Sequence, residues 1–287
     1  MTTGERKKSM AKILTIGLVV IMLVVGFAVG LMAGPFLLPQ NASSTDTVWA
    51  HIQDTGVISV GTDPTWPPYQ MLDVETGDIV GFEVDIANEC AERLGLAIEW
   101  QSVSFDSIIL SAQQGQLDMG VSGFSITSER LDQVSFTLSH STTLGQVVML
   151  DSTKAAKGIT TVNSLEDFKT LGIKVGVQSG NVQQQELQDA GVEIAVWSGS
   201  DEPFQDLISA NPSVQAVYAE TPITTNWIDQ FRSEGIEAGV ALSRPFYPVA
   251  FVVSNDSHTL RDKMDGAIVQ MIYDGTIEQL RAKWNAY

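Results

Sequence analysis

Several loops of this sequence carry residue types that suit the binding of a small charged molecule. The segment Ser122–Arg130, with the sequence SGFSITSER, follows a predicted strand that ends at Val121. Gly123 allows close approach to the backbone and Ser125 offers a hydroxyl. The planar guanidinium of Arg130 can pair with a carboxylate through two hydrogen bonds, so this loop is a candidate anion site.

Arg130 is a scarce cation, because only 12 of the 16 Lys and Arg residues lie beyond residue 12. Thr127 is predicted to cap a short helix that has Arg130 at its third position. The alternative to an anion site is a surface ion pair between Arg130 and Asp132 or Glu129.

A second loop, at residues 63–69, has the sequence DPTWPPY and follows the first predicted strand. Its three prolines predict an irregular and rigid loop. Such a loop either directs Trp66 outward to a ligand or buries it in the core, and both interpretations stay open at this point.

Two further candidates lie in the second half of the chain. The turn Val177–Val182, with the sequence VQSGNV, joins a predicted strand to a predicted helix, and free N–H groups at a helix start attract anions. Glu220 follows the predicted strand Val214–Tyr218, where it either meets an ammonium group or is a solvated acid at a helix start.

Other kinds of chemistry have little support in the sequence. It contains no phosphate-binding loop, no G-x-S-x-G motif and no H-E-x-x-H motif. The single cysteine, Cys90, excludes an intrachain disulfide and is predicted to be inert core. The three histidines, His51, His140 and His258, are far apart, so neither a metal site nor a cofactor is predicted.

Strands and helices are predicted to alternate along most of the chain. The predicted strands are Gly56–Gly61, Ile98–Trp100, Leu117–Val121, Gln146–Leu150, Ile173–Val177, Val192–Val196, Val214–Tyr218 and Val249–Val253. The predicted helices are Gly81–Gly95, Phe105–Gln114, Ser164–Lys169, Asn181–Ala190, Glu202–Ala210, Pro222–Phe231, Leu260–Met271 and Ile277–Trp284. Repeated βαβ units predict an α/β fold with mostly parallel sheets, and two such series predict two lobes with a ligand between them.

Charge divides the chain into two regions. Residues 1–12 carry a local net charge of +3, although the whole chain has a formal net charge of −18, which excludes a generic nucleic-acid binder. The 26 uncharged residues from Ile13 to Leu38 are long enough to cross a bilayer. They predict either an uncleaved anchor or a cleaved signal, with residues 1–12 as a cytoplasmic stub and everything beyond residue 38 outside the membrane. Residues 39–47 are predicted to be a tether.

Five segments resemble a known protein family over residues 54–286. These segments are GTDPTWPPY at 61–69, GFEVDIA at 81–87, SGFSITSER at 122–130, VGVQSG at 175–180 and YDGTI at 273–277. They look like the polar amino-acid binding proteins of ABC importers, which are solute-binding proteins of family 3 with the type 2 periplasmic binding protein fold.

The resemblance implies a ligand site. Its residues are Asp63, Trp66, Phe105, Ser122, Gly123, Ser125, Arg130, Gln178, Asn181, Val182 and Glu220. The family pattern implies that Arg130 and the N–H groups of Asn181 and Val182 hold the ligand α-carboxylate, and that Gly123 and Ser125 help to hold the α-ammonium group.

The remaining residues follow from the same pattern. Glu220 matches the acid that completes the ammonium site, although the family commonly has the shorter Asp there. Trp66 and Phe105 match two aromatic residues that sandwich the ligand side chain, whereas Asp63 and Gln178 match positions that contact its end.

The resemblance also implies an organisation. Lobe 1 is expected to comprise 48–144 and 251–287, and lobe 2 to comprise 145–250, with two hinge crossings near Thr143–Val147 and Tyr247–Phe251. The expected function is that of an extracellular or periplasmic monomer that binds a polar or cationic amino acid and delivers it to ABC permease subunits.

Two other functions remain open from the sequence. A dehydratase acting on a small carboxylate needs a general acid or base in the cleft, for which Glu220 and His140 are the candidates. A ligand-sensing ectodomain needs a signalling partner, since the stub at residues 1–12 is too short to signal by itself.

Overall fold

The computed structural model describes residues 46–160, 162, 164–241 and 247–287. The predicted stub, the predicted membrane segment at 13–38 and residues 39–45 of the predicted tether lie outside the described residues. No helix within the described ranges has the length and apolar character that a membrane span requires. Asp46 and Thr47, which the sequence assigns to the tether, belong to the folded part, because Asp46 caps the helix that begins at Thr47.

A five-stranded sheet forms the centre of lobe 1. Its strands are β1 (Val57–Thr62), β5 (Ala97–Ser102), β6 (Met119–Gly120), β7 (Ser135–Phe136) and β15 (Val252–Val253). Their order is β5-β1-β6-β15-β7, with β1 parallel to β5 and β6, and β15 antiparallel to β6 and β7.

Six helices belong to this lobe. They are α1 (Thr47–Thr55), α2 (Phe82–Leu94), α3 (Phe105–Gln113), α4 (Ser128–Leu131), α10 (His258–Tyr273) and α11 (Thr276–Trp284). Gly95 ends α2 in the left-handed conformation, which glycine adopts without a steric penalty. The apolar stripe of α10 is buried, so this helix packs against the sheet core together with α2 and α11.

A second five-stranded sheet forms the centre of lobe 2. Its strands are β9 (Gly145–Leu150), β10 (Val175–Gln178), β11 (Ile194–Trp197), β12 (Ala216–Glu220) and β13 (Ile236–Ala241), in the order β11-β10-β12-β9-β13. Its helices are α5 (Asp151–Lys157), α6 (Glu166–Leu171), α7 (Val182–Asp189), α8 (Glu202–Leu207) and α9 (Ile223–Phe231).

Both faces of this second sheet are buried. Along β12, Ala216 and Tyr218 pack into one apolar cluster, whereas Val217 and Ala219 pack into another. Alternate residues of a strand point to opposite faces, so helices cover the sheet on both sides.

The sheets are less parallel than the sequence predicts. Each has two parallel and two antiparallel strand pairings, because β9 and β15 enter their sheets without a crossover helix before them. A helix-bearing βαβ unit is what enforces parallel pairing.

A two-stranded ribbon accompanies the chain where it passes between the two sheets. Its strands are β8 (Ser141–Thr143) and β14 (Tyr247–Val249), which pair antiparallel. The single strand predicted at Val249–Val253 is therefore wrong: the chain leaves the ribbon at Val249 and enters the lobe 1 sheet at Val252.

A small three-stranded sheet, absent from the sequence prediction, follows the first strand of lobe 1. It contains β2 (Thr65–Trp66), β3 (Gln70–Leu72) and β4 (Ile79–Val80). Its first strand includes Trp66, so the proline-rich loop is pinned by strand pairing as well as by its prolines.

Candidate functional site

One cavity between the two lobes is lined by all the residues that the resemblance implies. These are Asp63, Trp66, Phe105, Ser122, Gly123, Ser125, Arg130, Gln178, Asn181, Val182 and Glu220. The cavity measures about 30 Å³.

Arg130 lies at the lobe 1 wall of this cavity. Its Nη1 donates to the Ser125 carbonyl at 2.9 Å, and its Nη2 reaches across to the Gly180 carbonyl of lobe 2 at 3.0 Å. The guanidinium carbon lies 5.4 Å from each of the ring centres of Phe105 and Phe124. Burial lowers the pKa of Arg130, and the negative charge of Glu220 opposes that effect.

The short helix predicted around Arg130 is confirmed. Thr127 caps α4, its hydroxyl accepting from the Arg130 backbone N–H at 3.2 Å. The alternative of a surface ion pair is wrong, since Arg130 is buried and its hydrogen bonds go to backbone carbonyls instead of Asp132 or Glu129.

Glu220 lies at the end of β12 and faces Arg130 from lobe 2. Its carboxylate accepts from the hydroxyls of Ser125 and Thr143 and from Gln183 Nε2, at 2.9, 2.5 and 2.8 Å. Burial raises the pKa of Glu220, and these three hydrogen bonds and the Arg130 charge counteract it. The alternative of a solvated acid at a helix start is wrong.

Gln183 is a site residue that the sequence does not single out. It is buried in the first turn of α7 and donates to Glu220. The run Gln183–Gln185 is polar throughout, so no hydrophobic periodicity marks its buried member.

Asp63 is a second buried carboxylate, on the lobe 1 side. It accepts from Thr65 Oγ1 at 2.8 Å, from the Phe105 N–H at 3.3 Å and from Gln178 Nε2 of lobe 2 at 2.8 Å. Burial raises the pKa of Asp63 to about 6, although these hydrogen bonds work in the opposite direction.

Trp66 packs against the apolar clusters of both lobes and also lines the cavity. The two interpretations of this residue, core or ligand wall, are therefore both partly right. Its ring lies directly against Gly123, where a Cβ atom would stand 2.2 Å from Trp66 Cζ3.

The start of α7 forms the lobe 2 wall. Asn181 caps this helix through a hydrogen bond from the Gln184 N–H to its Oδ1, at 2.8 Å. Opposite it, the Ser122 hydroxyl accepts from the Asp63 N–H at 3.1 Å and so joins two lobe 1 loops.

Direct hydrogen bonds join the lobes around the cavity. Arg130, Glu220 and Asp63 each form one such hydrogen bond or more. In addition, Ser179 Oγ of lobe 2 donates to Asp106 of lobe 1 at 3.0 Å. The Ser200 N–H of lobe 2 donates to Thr65 Oγ1 of lobe 1 at 2.9 Å. The charged residues of the site are therefore held from both sides of the cleft.

His140, a candidate acid or base for an enzyme, does not line the cavity. It is buried in lobe 1, with Nε2 2.7 Å from Glu83 Oε1.

Cys90 is buried as predicted, and burial raises the pKa of its thiol to about 12. The described residues contain no group of three or more His, Cys, Asp and Glu side chains that could hold a metal ion.

The family model for bacterial extracellular solute-binding proteins, family 3, matches residues 58–287, and the chain belongs to this family. The ABC transporter arginine-binding protein 1 of Escherichia coli (strain K12) is 26% identical over 235 residues, or 79% of this chain and 90% of that protein. The arginine-binding extracellular protein of Bacillus subtilis (strain 168) is 30% identical over 238 residues, or 78% of this chain and 84% of that protein. A solved structure of an ancestral arginine-binding protein bound to arginine is 33% identical, with a TM-score of 0.71, and covers 80% of this chain and 98% of that chain.

The contact between Gly123 and Trp66 gives a testable prediction. Gly123 and Gly115 both have positive φ, +65° and +68°, but only Gly123 would place a Cβ against another group. Gly115→Ala should cost about 1–2 kcal/mol of backbone strain. Gly123→Ala should cost about 1–3 kcal/mol more through overpacking and should alter the tryptophan fluorescence. Urea unfolding measures both, and equal costs would show that Trp66 does not depend on this glycine.

Proposed function

We propose that this chain is the substrate-binding component of an ABC importer and that it binds a cationic amino acid, with L-arginine as the first candidate. Charge matching carries the proposal. Arg130, Glu220 and Asp63 supply one positive and two negative groups to one cleft. A cationic amino acid carries the complementary set: one carboxylate and two cations.

Each charge has a place in this proposal. The α-carboxylate pairs with Arg130 and with the N–H groups at the start of α7, because a guanidinium and a helix start both favour an anion. The α-ammonium group meets Glu220 and the Ser125 hydroxyl. Asp63 and Gln178 then receive the cationic end of the side chain, between the rings of Trp66 and Phe105.

The relatives support the same ligand class, since two arginine-binding proteins and an arginine-bound structure match most of this chain. They also favour delivery to ABC permease subunits. Neither alternative gains comparable support: the dehydratase lacks a pairing of Glu220 with His140 in the cavity, and nothing specific favours a ligand-sensing ectodomain.

We also propose that residues 13–38 anchor the protein as a single-pass helix, with 1–12 inside and the binding domain outside as a monomer. The uncharged stretch and the preceding basic residues support this arrangement. Intact mass of the native protein distinguishes an anchor from a cleaved signal.

The proposed limits of lobe 1 are 48–144 plus 251–287, and those of lobe 2 are 145–250. These limits agree with how the strands divide between the two sheets.

The proposed carboxylate clamp predicts the effect of removing Arg130. In isothermal titration with L-arginine, L-lysine, L-ornithine, L-glutamine and L-glutamate, the parent protein should prefer the cationic ligands. Arg130→Ala should weaken L-arginine binding about 100-fold, because a buried charge pair loses one partner. Arg232→Ala removes an exposed arginine of lobe 2 and should leave the affinity unchanged. Parent affinity in Arg130→Ala would rule out the clamp.

Asp63 predicts a pH dependence of binding. Its pKa of about 6 should fall when a ligand cation pairs with it, so binding releases a proton and strengthens as the pH rises through 6. Between about pH 7 and about pH 5, the affinity for L-arginine should fall about tenfold.

Two variants separate this effect from other titrations. Asp63→Asn should bind L-arginine more weakly and show a flatter pH profile. Asp118→Asn removes a half-buried carboxylate whose pKa is also raised by burial but which lies outside the cavity, so it should keep the parent profile. An unchanged profile in Asp63→Asn would show that another group controls the pH dependence.

A further inference from the structure

Glu83 is a fully buried carboxylate that does not line the cavity. It lies in the first turn of α2. Its Oε2 accepts from the Gly123 backbone N–H at 2.7 Å and from the Gln70 side-chain amide. Its Oε1 faces His140 Nε2 at 2.7 Å.

A carboxylate is costly to bury, so the contacts of Glu83 show what compensates for its lost hydration. A carboxylate inside a protein is retained only where donors or a charge partner compensate its lost hydration. Here Gly123, Gln70 and His140 supply that compensation, and one of the three, Gly123, belongs to the wall of the cavity.

The contact with Gly123 fixes the direction of a peptide group. The N–H of Gly123 and the C=O of Ser122 belong to one planar trans peptide and therefore point in opposite directions. With the N–H held inward by Glu83, the Ser122 carbonyl is held facing the other way. The same segment continues to Ser125, whose hydroxyl donates to Glu220 and whose carbonyl accepts from Arg130.

His140, on the other side of Glu83 from Gly123, contacts the ribbon between the lobes. His140 directly precedes β8, its backbone N–H donates to the Val249 carbonyl at 3.1 Å, and its ring lies 4.5 Å from that of Phe251. Ser125 also forms a β-bridge with Val249. Glu83 therefore stands between the ribbon and the loop that faces the ligand ammonium group.

We propose that Glu83 is a positioning residue for recognition of the ligand α-ammonium group. Its carboxylate orients the 122–125 segment through the Gly123 N–H, and His140 holds that carboxylate in place. This inference rests on the proposed function, because it concerns the same cleft, and it assigns a role to a residue outside the cavity.

The test compares two ligands that differ only at the α-ammonium group: L-arginine and 5-guanidinopentanoate, which lacks it. Glu83→Gln keeps the shape of the side chain and removes its charge. It should weaken L-arginine binding by about tenfold or more, the effect of losing a hydrogen bond to a charged group, and leave the analogue unchanged. Glu92→Gln makes the same change at an exposed position of α2 and should affect neither ligand. An equal loss for both ligands, or no loss, would overturn the proposal.

A second variant and a ligand-independent measurement complete the experiment. Glu83→Asp keeps the charge but withdraws it from Gly123, so it should show the same selective loss if Glu83→Gln fails to fold. The Gly123 amide proton resonance should move upfield in both Glu83 variants and stay in place in Glu92→Gln; an unmoved resonance would also overturn the proposal. If the parent prefers another amino acid, the comparison uses that amino acid and its desamino analogue. A parent that binds no amino acid disproves the proposed function itself, even where the Gly123 resonance responds to Glu83.

Discussion

Burial of ionised groups at one cleft is the constraint on which the rest of this structure depends. Arg130, Glu220 and Asp63 are each less than 10% exposed, and an unpaired charge at that depth is costly. The carboxylates accept several hydrogen bonds each, and the guanidinium is held by two carbonyls beside two stacked aromatic rings. A ligand that brings the complementary charges can take the place of these contacts, whereas a ligand lacking one of them leaves a buried charge without its counter-charge.

The fold meets this constraint by dividing the charges between two lobes. Asp63 comes from the lobe 1 segment that follows β1, Arg130 comes from the short lobe 1 helix α4, and Glu220 comes from a strand end in lobe 2. Neither lobe can satisfy the set alone, so separation of the lobes exposes the charges to water and closure requires partners for them. The ribbon of β8 and β14 lies next to this arrangement and contacts it at both Thr143 and Ser125.

Much of the site could be predicted because its residues stand at strand ends with distinctive neighbours. Arg130 is a scarce cation in an acidic chain, and Trp66 lies in a segment whose three prolines mark a rigid loop in the sequence. Gln183 and Glu83 could not be found in this way. Gln183 lies in a polar run, and Glu83 looks like any acid in the first turn of a helix, where the helix dipole favours one. Their burial is decided by elements distant in sequence, namely β12 for Gln183 and the 122–125 segment for Glu83.

Some elements of the fold could likewise be predicted from the sequence, and others could not. Long segments with clear periodicity, such as α2 and α10, could be predicted, since their apolar spacing matches the helix repeat. The small sheet of β2, β3 and β4 could not, because its strands have two or three residues each and are held by turns. The break between β14 and β15 was also hidden, since a continuous apolar run at 249–253 gives no sign that the chain changes partners between two sheets.

A crystal structure of the complex with L-arginine tests the central claim most directly, because it shows which protein charge each ligand charge meets. The account predicts the α-carboxylate on Arg130, the α-ammonium group on Glu220 with Ser125, and the guanidinium on Asp63 with Gln178. A ligand bound in the opposite direction, or one whose carboxylate makes no contact with Arg130, would contradict it.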